Sequence, residues 1–130
     1  MKRILVIDDE ITILVMLRRL LTKGGYEVME AANGKIAADL LRDNPADLII
    51  TDLIMPDQEG LETIIEFRRD YPAMPIIAMS GGGSVGPSTY LDIAKKLGAR
   101  RTFTKPFHPA DLLAAVHEIL KEKETLSATE

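Results

Sequence analysis

The chain of 130 residues contains no cysteine, no long apolar run and no excess of basic residues, and each absence excludes a class of protein. Without cysteine it has neither a disulfide scaffold nor a thiolate metal site. A net charge of −4, with Lys and Arg spread along the chain, provides no basic stripe, so we expect no nucleic-acid partner. No apolar run could cross a membrane, and the run in MKRILVIDDE is too short for a signal peptide. We therefore expect a small cytoplasmic protein without a membrane partner.

Short apolar runs alternate with amphipathic segments along the chain. The runs predict five strands, at residues 2–7, 26–30, 47–51, 75–79 and 101–104. The other segments predict five helices, at about residues 13–23, 34–43, 60–70, 88–97 and from 109 onward. Five βα units with right-handed crossovers predict an α/β fold, a flavodoxin-like doubly wound parallel sheet with strand order 2-1-3-4-5. We assign residues 1–122 to one domain and residues 123–130 to a polar C-terminal tail that frays.

Carboxylates and an amine follow three of the predicted strands. Asp8 and Asp9 follow the first strand, Asp52 follows the third, and Lys105 follows the fifth. Because the first and third strands are neighbours in the predicted order, the three carboxylates should converge at the carboxyl edge of the sheet, where open α/β folds bind ligands. Carboxylates bind Mg²⁺ and an ammonium pairs with a phosphoryl oxygen, so the group predicts a site for both. The alternative is a charge pair at a helix N-terminus, a turn-capping aspartate and a solvated lysine.

Ser80 ends the fourth predicted strand, in front of the glycine-rich loop of SGGGSVGPS. Its hydroxyl would point into the same crevice, unless the serine simply begins the loop. No GK[ST] follows the glycines, so they do not predict a nucleotide P-loop. His108 and His117 are too far apart in the sequence to predict a metal pair.

Four motifs, LVIDDE, DLIMPDQEGLE, PIIAMS and TKPF, occur in this order at characteristic spacing. Over residues 2 to about 122 the chain resembles the receiver domain of two-component response regulators, including stand-alone chemotaxis regulators. The resemblance implies that Asp52 accepts a phosphoryl group from a histidine kinase or phosphotransfer protein, with Mg²⁺ as cofactor. It also implies that Asp9 binds Mg²⁺ directly, that Asp8 acts largely through water, and that the backbone carbonyl of Ile54 is a third protein ligand.

The resemblance also implies how the signal is made and where this chain departs from the pattern. Lys105 matches the lysine that contacts the phosphoryl group, with a cis peptide before Pro106, and Ser80 matches the switch hydroxyl. Phosphorylation should draw in Ser80 with its loop and change the face built by the fourth helix and fifth strand. The family usually has Tyr or Phe three residues before the lysine, but here that switch position is Thr102. Phe103 cannot replace it, because neighbouring strand residues face opposite sides.

Three functions are compatible with these residues. The main hypothesis is a stand-alone receiver, a monomer or weak dimer, that catalyses only its own phosphotransfer and dephosphorylation and signals to a downstream protein. A second is a receiver excised from a longer regulator or hybrid kinase. The third is a Mg²⁺-dependent phosphohydrolase with Asp52 as nucleophile. Haloacid dehalogenase-type enzymes of that kind need a general acid two residues later, and Ile54 cannot serve as one.

The first predicted helix has more apolar residues than one inward face needs. One stripe contains Ile13, Met16, Leu17, Leu20 and Leu21. Ile11, Leu14 and Val15 form a second stripe at i, i+3 and i+4. We predict that the second stripe is exposed and docks the phosphoryl donor, because exposed apolar patches commonly bind partners. The alternative is a rotated helix in which Leu14 belongs to the core.

Overall fold

Strands and helices alternate from the first element to the last. The computed structural model describes residues 1–53, 60–81 and 87–129. The strands are β1 Arg3–Ile7, β2 Glu27–Ala31, β3 Leu48–Asp52, β4 Ile76–Ser80 and β5 Arg101–Thr104. The helices are α1 Ile11–Lys23, α2 Gly34–Asp43, α3 Gly60–Asp70, α4 Pro87–Lys96 and α5 Pro109–Thr129. This is the predicted alternation of five strands and five helices.

All strand pairs are parallel, and the strand order is β2-β1-β3-β4-β5. The sequence-based prediction of a flavodoxin-like doubly wound sheet is therefore confirmed. β3 and β4 are buried along their whole lengths, as expected for parallel strands covered on both faces. The edge strands β2 and β5 are only partly buried. The central strands thus bring Asp52 and Ser80 to a protected position at their carboxyl ends.

Two hydrophobic layers cover the sheet, one on each face. The first packs α2, α3 and α4 against side chains such as Leu5, Ile49 and Ala78. The second packs α1 and α5 against Ile4 and Ile50. Successive residues of each central strand alternate between the two layers, because a strand has a side-chain period of two. The position of a residue in its strand therefore decides which helices it meets.

The packing of α1 corrects one prediction. Leu14 is 9% exposed and belongs to the α1/α5 layer, together with Leu17 and Leu21. The prediction that Leu14 faces solvent was wrong, because the helix is rotated so that residues 14, 17 and 21 form its innermost row. Ile11 is 74% exposed and Val15 is half-buried, so these two members of the predicted stripe remain at the surface.

The last helix is longer than the sequence pattern suggested. α5 extends to Thr129 and includes most of the segment 123–130 that we expected to fray. No proline or glycine interrupts KEKETLSAT, and its lysine, glutamate, leucine and alanine residues have good helix propensity. Helical conformation therefore continues past the part of α5 that packs on the core. The domain boundary at residue 122 stays a prediction.

Candidate functional site

The carboxyl edge of the sheet gathers the polar residues that follow its strands. Asp8 comes directly after β1, Asp52 and Ser80 end β3 and β4, and Lys105 follows β5. Backbone hydrogen bonds continue the strand pairing there: Asp8 N–H donates to the Ala31 carbonyl at 3.1 Å, and Lys105 N–H to the Ser80 carbonyl at 2.9 Å. These backbone hydrogen bonds thus fix the main-chain positions from which the Asp8 and Lys105 side chains extend.

Three carboxylates lie together at this edge. Single carboxylate oxygens of Asp8, Glu10 and Asp52 lie within 4.8 Å of one another. Asp8 is fully buried and Asp52 is 4% exposed, whereas Glu10 is exposed. The Glu10 backbone N–H donates to Asp8 Oδ1 at 2.9 Å, which holds the turn between β1 and α1. Without further positive charge, such a group would repel itself.

Asp9 differs from its expected place. The sequence predicted that Asp8, Asp9 and Asp52 converge, but Asp9 is exposed and is not part of the group. Glu10 takes the third place, because it belongs to the turn that folds back over Asp8. Sequence reasoning missed Glu10, although DDE offered three successive acidic residues from which to choose.

Lys105 supplies positive charge to all three carboxylates. Its Nζ donates to Asp8 Oδ2 at 2.7 Å, lies 3.4 Å from Glu10 Oε1 and lies 3.5 Å from Asp52 Oδ2. The Lys105 side chain is only 13% exposed, so these attractions are weakly screened by solvent. The predicted meeting of Lys105 with the carboxylates at the ends of β1 and β3 is present in the structure. The peptide bond between Lys105 and Pro106 is cis, as expected.

Burial and the neighbouring hydrogen bonds and charges have opposing effects on the pKa values of Asp8 and Lys105. Both pKa values are raised, for different reasons. Burial raises the pKa of the Asp8 carboxyl, and the hydrogen bonds from Lys105 and from the Glu10 backbone only partly oppose it. Burial on its own would lower the pKa of Lys105. The hydrogen bond to Asp8 and the charges of Asp52, Asp8 and Glu10 outweigh burial, so the pKa of Lys105 is raised. Lys105 therefore stays charged at neutral pH, while ionised Asp8 is held at a cost in stability.

Ser80 lies at the same edge with an unused hydroxyl. It is fully buried, and its Oγ has no hydrogen-bond partner among the described residues. Leaving a buried hydroxyl unpaired is unfavourable, so a polar group that comes within reach would gain a hydrogen bond.

Thr102 and Phe103 face opposite sides of β5. Thr102 lies opposite Ala78, which belongs to the α2/α3/α4 layer. Phe103 lies opposite Met79 and packs in the α1/α5 layer. The alternation of the two side chains, on which the prediction about Phe103 rests, is confirmed, and the prediction that Phe103 cannot replace an aromatic switch residue stays a prediction.

Gly81 allows the close approach of Lys105. A Cβ placed on Gly81 would lie 2.7 Å from Lys105 Cβ, closer than real carbon atoms approach. The side-chain stem of Lys105 therefore passes directly over a residue without a side chain. Ile54 and the loop residues 82–86 lie outside the described residues, so the expected roles of that carbonyl and of the glycine-rich loop stay predictions.

A cavity of about 520 Å³ opens in front of the group. Its lining residues are Glu10, Ile13, Met16, Asp52, Gly81, Lys105, Pro106 and Phe107. Three of these residues are charged and four are apolar. The carboxylates suit a hard cation such as Mg²⁺, the ammonium suits a phosphoryl oxygen, and Asp52 can act as a nucleophile. Pattern reasoning found Asp52 and Lys105 but missed the apolar lining residues, which belong to α1 and to the chain after Lys105.

Proteins of known family have sequences similar to that of this chain. The model of the response regulator receiver domain matches residues 4–117. The chemotaxis protein CheY of Thermotoga maritima is 33% identical over 121 residues, which cover 92% of this chain and 98% of that protein. The transcriptional regulatory protein PhoP of Bacillus subtilis, named for alkaline phosphatase synthesis, is 32% identical over 95% of this chain and 50% of its own length. This chain thus spans about half of that relative.

Solved structures give the same grouping. A CheY-like receiver domain protein from Methanospirillum hungatei has a TM-score of 0.87 at 31% identity, covering 96% of this chain and 98% of that one. A receiver domain protein from Clostridium thermocellum also has a TM-score of 0.87, at 32% identity, covering 97% and 99% of the two chains. No helix in the described ranges is long and apolar enough to cross a membrane. With the family match, the fold and the strand-end residues in agreement, the chain belongs to the response regulator receiver domain family, whose members are signalling domains.

Proposed function

We propose that this protein is a phosphorylation-dependent signalling switch in which Asp52 accepts a phosphoryl group from a histidine kinase or phosphotransfer protein. The observation that carries the proposal is the position of Asp52: buried at the end of β3, 3.5 Å from Lys105 Nζ, and lining an open cavity. A carboxylate in this setting has an attacking oxygen, a nearby cation and access for a donor.

The reaction uses Asp52 as nucleophile. A carboxylate oxygen of Asp52 attacks phosphorus in line with the leaving nitrogen of phosphohistidine. The Lys105 ammonium is close enough to exchange part of its contact with Asp52 for a phosphoryl oxygen. Hydrolysis of the resulting acyl phosphate consumes one water, releases inorganic phosphate and returns Asp52 to a free carboxylate.

Mg²⁺ fits the chemistry of the carboxylate group. We propose that Asp8, Asp9 and Asp52 hold the ion, with the backbone carbonyl of Ile54, and that bound Mg²⁺ neutralises charge on the transferring oxygens. Asp9 is included because the receiver-domain resemblance implies a direct role for it, and Glu10 is the alternative ligand, because its carboxylate lies with those of Asp8 and Asp52.

Titration with Mg²⁺ distinguishes the roles of the three acidic residues after β1. We expect Asp9→Ala to weaken Mg²⁺ binding more than Asp8→Ala, because a direct ligand is lost, and Glu10→Ala to weaken it least. A larger loss in Glu10→Ala than in Asp9→Ala would transfer the direct role to Glu10.

The output involves Ser80 and the face formed by α4 and β5. Ser80 Oγ, which has no hydrogen-bond partner within the described ranges, is available to a phosphoryl oxygen on Asp52, and its movement would draw the loop before α4. The switch position on β5 is Thr102, which pairs with Ala78, two residues before Ser80, and carries no ring. We therefore propose that the backbone of residues 81–88 carries the change to a downstream protein, more than a side-chain rotation does.

The phosphoryl donor docks on the exposed part of α1. Ile11 and Val15 line a shallow groove with Thr12, Met16 and Arg19, directly after the acidic turn. Ile11→Glu with Val15→Lys should slow phosphotransfer from the donor kinase, while transfer from acetyl phosphate keeps its normal rate. Unchanged transfer from the kinase would reject this surface. A cytoplasmic location, expected from the sequence, stays a prediction.

The central test uses a small phosphoryl donor and intact mass. Incubation with acetyl phosphate and Mg²⁺ should add one phosphoryl group to the wild type and none to Asp52→Asn. Asp47→Asn is a matched control at the opposite edge of the sheet and should be phosphorylated normally. Persistence of the added mass in Asp52→Asn would overturn the assignment of Asp52.

A further inference from the structure

The guanidinium of Arg68 joins the carboxyl-terminal ends of two helices. Arg68 lies in the last turn of α3 and is half-buried. Its Nη1 donates to the Pro72 carbonyl at 2.8 Å, two residues past the end of α3. Its Nη2 donates to the Gly98 carbonyl at 2.8 Å, two residues past the end of α4. We call Arg68 and these two carbonyls the α4 anchor.

Gly98 permits this contact in two ways. Its φ of +110° lies in the left-handed region, which glycine adopts without strain and other residues rarely adopt. A Cβ placed on Gly98 would lie only 2.9 Å from Arg68 Nε, closer than a real Cβ approaches. The guanidinium therefore lies directly against the backbone of Gly98, and a side chain at position 98 would displace it.

The charge of Arg68 strengthens the α4 anchor. Hydrogen bonds from a charged donor are stronger than those between neutral groups. The planar guanidinium presents several donors in a fixed arrangement, so one side chain can donate to both carbonyls at once. A cation is also favourable near the carboxyl end of a helix, and Arg68 lies near two such ends. Arg68 therefore holds the end of α4 firmly against the end of α3.

The two ends of α4 are connected to the rest of the fold in different ways. At the carboxyl end, Ala99 N–H donates to the Ala94 carbonyl at 3.0 Å and closes the helix. Arg100 N–H then donates to the Ile76 carbonyl at 2.8 Å, which returns the chain to the sheet. The amino end of α4 instead follows Ser80, the residue whose movement carries the proposed output. The carboxyl end is thus attached to both α3 and the sheet.

We infer that the α4 anchor keeps the carboxyl end of α4 in place on phosphorylation, so that α4 turns about this end while its amino end moves with Ser80. This inference rests on the proposed roles of Asp52 and Ser80, and it makes Arg68 a positioning residue that limits how far the change spreads. α4 has 10 residues and is about 15 Å long. A rotation of about 10° would therefore move its first turn by roughly 2.5 Å and its last turn much less.

Hydrogen exchange at single backbone amides, measured by NMR with and without beryllofluoride, tests this inference. Beryllofluoride with Mg²⁺ takes the place of a phosphoryl group on a carboxylate. In the wild type, beryllofluoride should change the exchange rates of residues 91–93 by about fivefold or more and those of residues 97–99 by less than about twofold.

Two substitutions of Arg68 remove the α4 anchor to different degrees. Arg68→Met removes both hydrogen bonds and keeps an apolar stem. Exchange of residues 97–99 should become about tenfold faster without beryllofluoride, because a charged hydrogen bond is lost. The same amides should now respond to beryllofluoride by about fivefold, which loss of local stability alone would not produce. Arg68→Lys keeps the charge but lacks the planar fork, so both effects should be about threefold.

Arg69→Met is the matched control. Arg69 is the next residue of α3, its side chain is 71% exposed, and it pairs with the neighbouring Asp70. This variant should therefore keep the wild-type exchange and the wild-type beryllofluoride response at residues 97–99.

Two results would overturn the inference. One is a wild-type beryllofluoride response at residues 97–99 as large as that at residues 91–93. The other is a response at residues 97–99 that stays below about twofold in both Arg68 variants. Failure of the wild type to bind beryllofluoride and to accept phosphate from acetyl phosphate would instead overturn the proposed function, so the two failures are distinguishable.

Discussion

The two edges of the sheet differ in the burial and the balance of their charged side chains. At the amino edge, Arg3 N–H donates to Asp47 Oδ2 at 2.8 Å, and Arg3 Nε lies 3.3 Å from Glu27 Oε2 at the surface. At the carboxyl edge, the side chains of Lys105 and Asp8 are 13% and 0% exposed, and one ammonium serves three carboxylates. The amino edge thus holds a surface ion pair and a hydrogen bond from the backbone to a carboxylate. The carboxyl edge holds a buried excess of negative charge, which would favour a bound cation.

The largest expected difference comes from removing one cation at each edge. Lys105→Met leaves the buried carboxylates uncompensated and should lower the free energy of unfolding by on the order of 3 kcal/mol. Arg3→Met removes a surface cation and should lower it by less than about 1 kcal/mol. Urea unfolding of both variants measures the contrast. Equal losses in the free energy of unfolding would contradict the view that a cation at the carboxyl edge contributes more to stability than a cation at the amino edge.

Neutralising one acid at each edge should change stability with opposite sign. Asp8→Asn should raise the free energy of unfolding by about 0.5 to 2 kcal/mol at neutral pH, because it removes a buried charge from a negative cluster. Asp47→Asn weakens an acceptor of the Arg3 N–H and should lower it by about 1 kcal/mol.

The pH dependence of the Asp8 effect checks its cause. The pKa of Asp8 is raised in the folded protein, so its contribution favours folding below the ordinary carboxyl pKa and is lost as pH rises through the folded value. The advantage of Asp8→Asn should therefore be full at neutral pH and shrink as the pH falls into the carboxyl range. An advantage independent of pH would show that burial of charge is not its origin.

The smallest expected effect separates two buried hydroxyls within the carboxyl edge. Ser80 Oγ has no partner among the described residues, so Ser80→Ala should leave stability unchanged or raise it by up to about 1 kcal/mol. Thr51 Oγ1 donates to the Asp52 carbonyl at 3.0 Å, so Thr51→Val should lower stability by about 1 kcal/mol. A marked loss in Ser80→Ala, measured by thermal unfolding, would show that the Ser80 hydroxyl already has a stabilising partner.

Much of the fold was predictable because parallel sheets impose strong patterns. Buried apolar runs marked β3 and β4, and the strand order brought Asp8 and Asp52 to one edge. The meeting of Asp8 and Asp52 could therefore be predicted from their positions at the ends of neighbouring strands.

The features that were missed depend on rotation and side-chain reach. Leu14 was misplaced because the apolar residues of α1 are compatible with two rotations of the helix about its axis, which differ by about one residue. Packing against α5 decides between the two rotations. Glu10 was missed because its carboxylate reaches the group through the turn after β1, which no periodicity encodes. The apolar residues that line the cavity come from α1 and from residues 106–107, which are distant in sequence and meet only in the folded chain.

The most direct test of the account locates the phosphoryl group itself. Wild-type protein treated with acetyl phosphate and Mg²⁺ is reduced with borohydride, which converts an aspartyl phosphate into homoserine, and the digested peptides are sequenced by tandem mass spectrometry. We predict homoserine at position 52 and at no other aspartate. Homoserine at Asp8, Asp9 or Asp57, or the corresponding alcohol at Glu10, with Asp52 unchanged would contradict it.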